Sequence, residues 1–206
     1  MRHSLDHEHG GYFTCLDRDG SVLDKTKFHW LQGRQVWTLS RMYNSFAVGV
    51  AGVSEETRES WFAAAAAGAR FLKKAMRDDG MLWFSTTQSG DEGVHFQRRP
   101  FTAVFYILGS LEYYQLLRTR KAEGKDVHAG SQPRPLVTSD AALEAEAAAY
   151  AEQALVMFAK FRAWVDDATL LGRPAPPKGS DAYSNLGEAR RACLRLRDSG
   201  ALAPAL

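Results

Sequence analysis

Hydrophobic and polar positions along this chain switch between a two-residue and a helical period, and the switch occurs twice. Tyr12-Phe-Thr-Cys-Leu16 and Ser21-Val-Leu23 flank the turn Asp17-Arg-Asp-Gly20, which predicts a β-hairpin. A helical pattern follows over 26–46. Ser54 then stands as an N-cap before Glu55 and Glu56, whose charges suit a helix N-terminus, and predicts a helix reaching about Met76. Its small residues from Ala63 to Gly68 leave room for a neighbouring helix. The order then repeats. Residues 81–86 and 94–96 form a second hairpin around Ser89-Gly-Asp-Glu-Gly93, and Pro100 suits the first turn of a helix running to about Arg118. Residues 121–137 carry scattered Gly, Pro and charge and predict a surface loop; Ser139 or Asp140 then caps an Ala-rich helix ending near Trp164. Pro174, Pro176 and Pro177 break any further helix. The expected organisation is a domain over 1–172 and a divergent, poorly ordered tail over 173–206.

The first helix carries the candidate chemistry. Trp30, Arg34, Trp37 and Arg41 fall at i, i+4, i+7 and i+11, one stripe along the rod, while Phe28, Leu31, Leu39, Met42 and Phe46 supply a separate apolar face. Arginine stays charged, so its burial demands partners. Two readings are open: a snorkelling Arg34 stacked on tryptophan by a cation–π contact, or a fixed cation between planar walls that holds a sugar or a developing oxyanion.

Composition narrows the partners. A net charge of +2 in 206 residues argues against nucleic acid or an anionic membrane surface as the main partner. The N-terminus has no apolar signal region, and the Ala-rich run after Trp61 is broken by Arg70. Cys15 and Cys193 form no CxxC pattern, which fits a reduced, cytoplasmic setting. His7 and His9 flank Glu8, but two histidines at i, i+2 without a third ligand do not make a metal site, and no metal is expected.

Asp6-His-Glu-His-Gly-Gly-Tyr-Phe-Thr-Cys-Leu-Asp-Arg-Asp-Gly20, followed by Trp30-Leu-Gln-Gly-Arg-Gln-Val-Trp37, resembles the N-terminal part of the N-acylglucosamine 2-epimerase (renin-binding protein) family. The resemblance resumes at Gln97-Arg98, Phe101 and Phe105-Tyr106, and returns faintly at Leu171-Gly-Arg-Pro174. It implies an (α/α)6 barrel, a ring of paired helices with a sugar site at one mouth. The family's barrel takes about twice this length, so a partial, truncated barrel is expected.

The resemblance implies interconversion of N-acyl-D-glucosamine and N-acyl-D-mannosamine. Inverting C2 requires the open-chain aldehyde: one group removes the C2 proton, another returns it on the opposite face, and the charge on the carbonyl oxygen needs a preorganised donor. Arg34 matches the family's catalytic arginine. Trp30, Trp37, Gln32, Gln97 and Arg98 are the expected substrate-binding residues, and Arg98 reads equally as a surface salt link. The family's proton-transferring histidines lie in a second half that this sequence does not match. His29 and His95 are read as structural, so the chain alone is expected to be inactive. One departure stands at Ala103, where relatives usually carry an acid. No cofactor is needed for the chemistry. Nucleotide (ATP) is the family's activator, although no Gly-Lys-Ser/Thr phosphate motif is present.

Two further functions compete. A half-barrel exposes apolar surface, which suits a homo-oligomer or a non-catalytic protein binding a renin-like partner. α/α toroids also host glycoside hydrolases, which need two facing carboxylates; Asp78, Asp79, Asp91 and Glu92 are the available acids, beside hairpin turns where solvated acids are expected.

Overall fold

The computed structural model describes residues 3–124 and 140–172, and in them short strands and long helices alternate as the sequence predicts. β1 (Cys15–Leu16) pairs antiparallel with β2 (Val22–Asp24), and Gly20 closes their turn at a left-handed φ of 88°. β3 (Lys27–Phe28) leads into α1 (His29–Ser45), and α2 (Glu55–Leu72) follows. β4 (Ser85–Thr86), β5 (Gly93–His95), α3 (Phe101–Ala122) and α4 (Asp140–Asp166) complete the described elements. Ser54 caps α2 as expected: its hydroxyl accepts the Thr57 N–H at 3.1 Å.

Several boundaries differ from expectation: α2 ends at Leu72 rather than about Met76, and the first strand of the second hairpin is only Ser85–Thr86. α1 begins at His29 rather than residue 26, because Lys27 and Phe28 pair with Thr86 and Ser85 of β4. The second hairpin is therefore the far side of a three-stranded sheet, β3-β4-β5. No local pattern announces a two-residue strand whose partner lies some sixty residues away. α3 continues past Arg118 to Ala122. Residues 125–137 of the expected loop, and the expected tail over 173–206, lie outside the described residues.

Side-chain contacts give the helix directions. Trp30 meets Phe105, Arg41 and Asn44 reach Glu112, and Tyr43 reaches Glu123, so α1 and α3 run parallel. His29 stacks on Phe71 while Phe46 packs on Trp61, so α2 returns antiparallel to α1. Tyr106 bonds Gln153 and Lys121 bonds Glu144, so α4 returns antiparallel to α3. Parallel neighbours, each backed by an antiparallel partner, are the unit from which an α/α barrel is built. The fold is mainly α with short β-hairpins. Among the described residues, no helix is long and apolar enough to cross a membrane.

One apolar cluster joins α1, α2 and α3 around Val36, Tyr43, Phe62 and Leu116; another joins α3 and α4 around Ile107, Leu111, Met157 and Phe161. The buried face of α1 is not the one expected. Of Phe28, Leu31, Leu39, Met42 and Phe46, only Leu39 is buried. The buried set is His29, Gln32, Gly33, Val36, Leu39, Ser40 and Tyr43. Gly33 explains the rotation. A Cβ placed there would lie 2.4 Å from the Phe105 carbonyl oxygen, and one on Gly109 would lie 2.7 Å from that of Gly33. The two backbones touch, and α1 must turn this face to α3 whatever its other side chains prefer. Ala64, Ala65 and Ala66 of α2 lie in the cluster with α1 and α3, as their size suits, whereas Gly68 leaves a hollow filled by the ring of Tyr12, whose Oη would lie 2.2 Å from an added Cβ.

The far end of the helices is tied by two buried arginines. Arg58 on α2 donates to both Glu123 carboxylate oxygens, at 2.7 and 3.1 Å, and to the Tyr43 carbonyl at 3.2 Å. Arg120 on α3 donates to Glu59 at 2.6 Å and to Tyr43 Oη at 3.2 Å, with its guanidinium 3.8 Å above the Phe62 ring. Each buried cation has a carboxylate and an aromatic face, which is what makes its burial tolerable.

Alanine at a helical glycine ordinarily stabilises by about 1 kcal/mol. At position 33 the clash is with backbone, which cannot swing aside, and overpacking of this kind costs about 1–3 kcal/mol. Gly33→Ala is therefore expected to lower the urea midpoint with little change in slope, and a raised midpoint would show that α1 and α3 can separate freely.

Candidate functional site

The segment from Ser4 to Thr14 lies across α1 as a strap, held by polar bonds at three points. The Asp6 carboxylate accepts the N–H groups of Glu8 and His9, each at 3.0 Å, and its other oxygen takes Lys27 Nζ at 2.8 Å and Gln88 Nε2 at 3.1 Å. Lys27 also donates to the Gly10 carbonyl at 3.0 Å. Asp6 and Lys27 are buried. Burial would raise the Asp6 carboxyl, but the bonds from Lys27, His9 and Gln88 hold it below its usual value. Gln32 makes the next fastening: its carbonyl accepts the Tyr12 N–H and its amide donates to the Tyr12 carbonyl, both at 2.8 Å. Tyr12 Oη donates to the Ala64 carbonyl at 2.7 Å.

Between strap and helix lies a cleft of about 310 Å³. Leu31, Arg34, Gln35 and Thr38 form its helical wall; Ser4, Phe13 and Thr14 form the strap wall. Arg34 is exposed, and among the described residues its guanidinium has no hydrogen bond, ion pair or ring contact. An unpaired fork of N–H donors beside three hydroxyls and an amide can bind a polyol and stabilise negative charge on a carbonyl oxygen.

Helical geometry accounts for which predicted residues reach this cleft. Taking Gly33 as the direction of α3, Trp37 and Trp30 lie about 40° and 60° from it, Arg34 about 100°, and Thr38, Leu31 and Gln35 about 140–200°. The tryptophans therefore lean towards α3: Trp30 is half-buried with its ring 6.0 Å from Phe105, and neither indole lines the cleft. Arg34 is not held between two indoles, nor is it stacked on one. Gln32 is fully buried and both ends of its amide are used by Tyr12, so it is a fastening and not an open ligand contact. Gln97 and Arg98 are exposed beyond β5, away from the cleft wall, with Arg98 beside Gly172. The contributors that sequence reasoning missed are Ser4, Thr14, Gln35 and Thr38. The last two, at one and four residues after Arg34, were available to the same helical arithmetic.

No described histidine lines the cleft. His29 is buried, stacked on Phe71, with Nε2 3.1 Å from Thr86 Oγ1 and no partner at Nδ1. Burial pushes it down to about 4. His95 is exposed and bonds Ser85 at 2.8 Å. Of the acids considered for glycoside hydrolysis, Asp79 pairs with Arg77 and Asp91 with Lys74, both on the surface. Ala103 is buried in the α3–α4 cluster, where a carboxylate would need a partner of its own.

Comparison with known proteins gives consistent results. The family model of N-acylglucosamine 2-epimerase (GlcNAc 2-epimerase) matches residues 11–132. N-acylglucosamine 2-epimerases of Mus musculus and Homo sapiens are each 40% identical over 119 residues, covering 56% of this chain and 26% of theirs. The Bos taurus enzyme is 33% identical over 181 residues, covering 86% of this chain and 34% of its own. The chain thus spans about a quarter to a third of the length of these curated relatives. Among solved structures, cellobiose 2-epimerase from Bacillus thermoamylovorans aligns with a TM-score of 0.46 and 21% identity, over 76% of this chain and 32% of that one.

The burial of His29 has a measurable consequence. Its imidazole titrates near 6.5 when unfolded and near 4 here, so between those values the unfolded chain binds more protons. Stability is complete above about pH 6.5 and falls as the pH drops towards 4, by up to roughly 3 kcal/mol. Urea unfolding across this window should show that slope. His29→Phe, which keeps the stack on Phe71, should remove most of it; an unchanged slope would mean that another group titrates.

Proposed function

Because the chain belongs to the N-acylglucosamine 2-epimerase family, we propose that the Arg34 cleft is the sugar-binding part of a 2-epimerase centre acting on N-acyl-D-glucosamine and N-acyl-D-mannosamine. The observation that carries this reading is the exposed, unpaired Arg34 guanidinium facing hydroxyl groups across a cleft. The buried arginines of this fold are neutralised: Arg58 and Arg120 each have a carboxylate partner. A cation left without one at a concave surface is kept for something that arrives from solution.

In the proposed reaction the open-chain sugar places its aldehyde oxygen against Arg34. Removal of the C2 proton leaves negative charge on that oxygen, and the guanidinium neutralises it. Return of a proton to the opposite face gives the epimer. The two proton-transfer groups are not among the residues lining the cleft, so this segment supplies the anion-stabilising and binding share of the centre. Trp30 and Trp37, on the face adjoining the cleft, are proposed to border the sugar; Gln97 and Arg98 are assigned a more distant contact. Nucleotide is likewise proposed as activator, and self-association or a renin-like partner as interactions of the helix faces.

The test follows C2 directly. The 206-residue chain is expected to bind N-acetylmannosamine without epimerising it. A longer chain that joins this segment to a proton-transfer pair is expected to place solvent deuterium at C2 of the product. In that longer chain Arg34→Lys, which keeps the charge but loses the planar fork, should slow turnover by about tenfold or more. Equal turnover of the lysine variant would remove Arg34 from the chemistry.

A further inference from the structure

The strap is fastened with an unusual concentration of buried polar bonds for eleven residues of non-helical chain. Asp6 and Lys27 are 3% and 0% exposed, and Gln32 is 0% exposed. Burying such groups is tolerated only when each is paired, and here each is. An apolar contact could have held the segment down, but it would not have fixed its register. The Gln32 amide bonds both the N–H and the carbonyl of Tyr12, as a neighbouring strand would, while the Tyr12 ring fills the hollow at Gly68, and together they hold Tyr12 and not a neighbour at that position. The two residues that follow Tyr12 are Phe13 and Thr14, and they form the cleft wall opposite Arg34. A slip of the strap by one residue would exchange the residues facing the helix.

We propose that the strap is a built wall of the Arg34 ligand site, with Thr14 a direct sugar contact and Gln32 a positioning residue that sets the register of Phe13 and Thr14 across from the guanidinium. This rests on the sugar-binding reading of Arg34. The ligand chemistry is that of an open-chain amino sugar: the anionic oxygen at Arg34 and a sugar hydroxyl at Thr14 and Gln35. The Asp6–Lys27–Gln88 cluster secures the other end of the strap and also bonds it to the turn of the second hairpin, so both hairpin motifs bear on one wall.

The experiment is an NMR titration of the 206-residue chain with N-acetylmannosamine, comparing wild type with Arg34→Ala, Gln32→Met and Thr14→Val. In wild type the Thr14 amide and methyl signals are expected to shift with the sugar. Loss of one hydrogen bond corresponds to roughly two- to tenfold in affinity, so Thr14→Val should bind that much more weakly with an unchanged melting curve. Gln32→Met is expected to weaken binding about tenfold and to raise amide exchange at Phe13 and Thr14 while leaving α3 and α4 protected. A purely structural strap would give the exchange effect without the loss of affinity, and without any effect of Thr14→Val, which keeps the inference testable even where Gln32→Met folds poorly. Normal binding by the Thr14 and Gln32 variants, with binding lost in Arg34→Ala, overturns the strap proposal and leaves the Arg34 reading standing. Normal binding by all three variants, or none by wild type, overturns the reading itself and the strap proposal with it.

Discussion

The contact on which this structure turns is between two backbones. Gly33 and Gly109 let α1 and α3 approach until carbonyl oxygen and Cα lie where side chains usually intervene. No other pair of residue types allows it, since even a methyl group would fall inside van der Waals distance of main-chain atoms that cannot rotate away. With that face pinned, each further residue of α1 has its direction assigned by the helix repeat. Gln32 turns to the strap, Arg34 to the cleft edge, Leu31 and Gln35 to the cleft wall. The chemistry of the site is thus oriented by a residue that has no side chain.

The strap answers a different physical problem. The segment folds back on itself, with Phe13 donating to the Ser4 carbonyl and Asp6 to that of Gly11, but this short pairing leaves other peptide groups to be satisfied, and every unpaired buried N–H or carbonyl is costly. Side chains provide the missing partners: Asp6 for its own turn, Lys27 for Gly10, Gln32 for Tyr12. Such polar fastening contributes little net stability compared with the apolar clusters, yet it discriminates among registers where apolar contact does not.

Much of the architecture was legible in the sequence. The Ser54 cap, the two turns and the four helices all follow from residues within a few positions of the feature they predict. What escaped is what depends on distant partners. β3 exists only because Lys27 and Phe28 meet β4. The buried face of α1 could not be read from hydropathy, because it contains His29, Gln32, Gly33 and Ser40. Gln32 was legible as a residue of interest but not in its role, since its partner is a peptide group twenty positions earlier. Arg34 was found from the helical stripe and from resemblance. Its surroundings were misjudged: the indoles are drawn towards α3 by the glycine contact, and the polar residues on the opposite side take their place.

The paired arginines at the end of α3 bear on how this fold carries load. Arg58 and Arg120 bind Glu123, Glu59 and Tyr43 into one knot that joins α1, α2 and α3. A load applied at the end of α3 is therefore shared at once with α1 and α2 through Tyr43, Glu59 and Arg58, rather than carried along α3 alone.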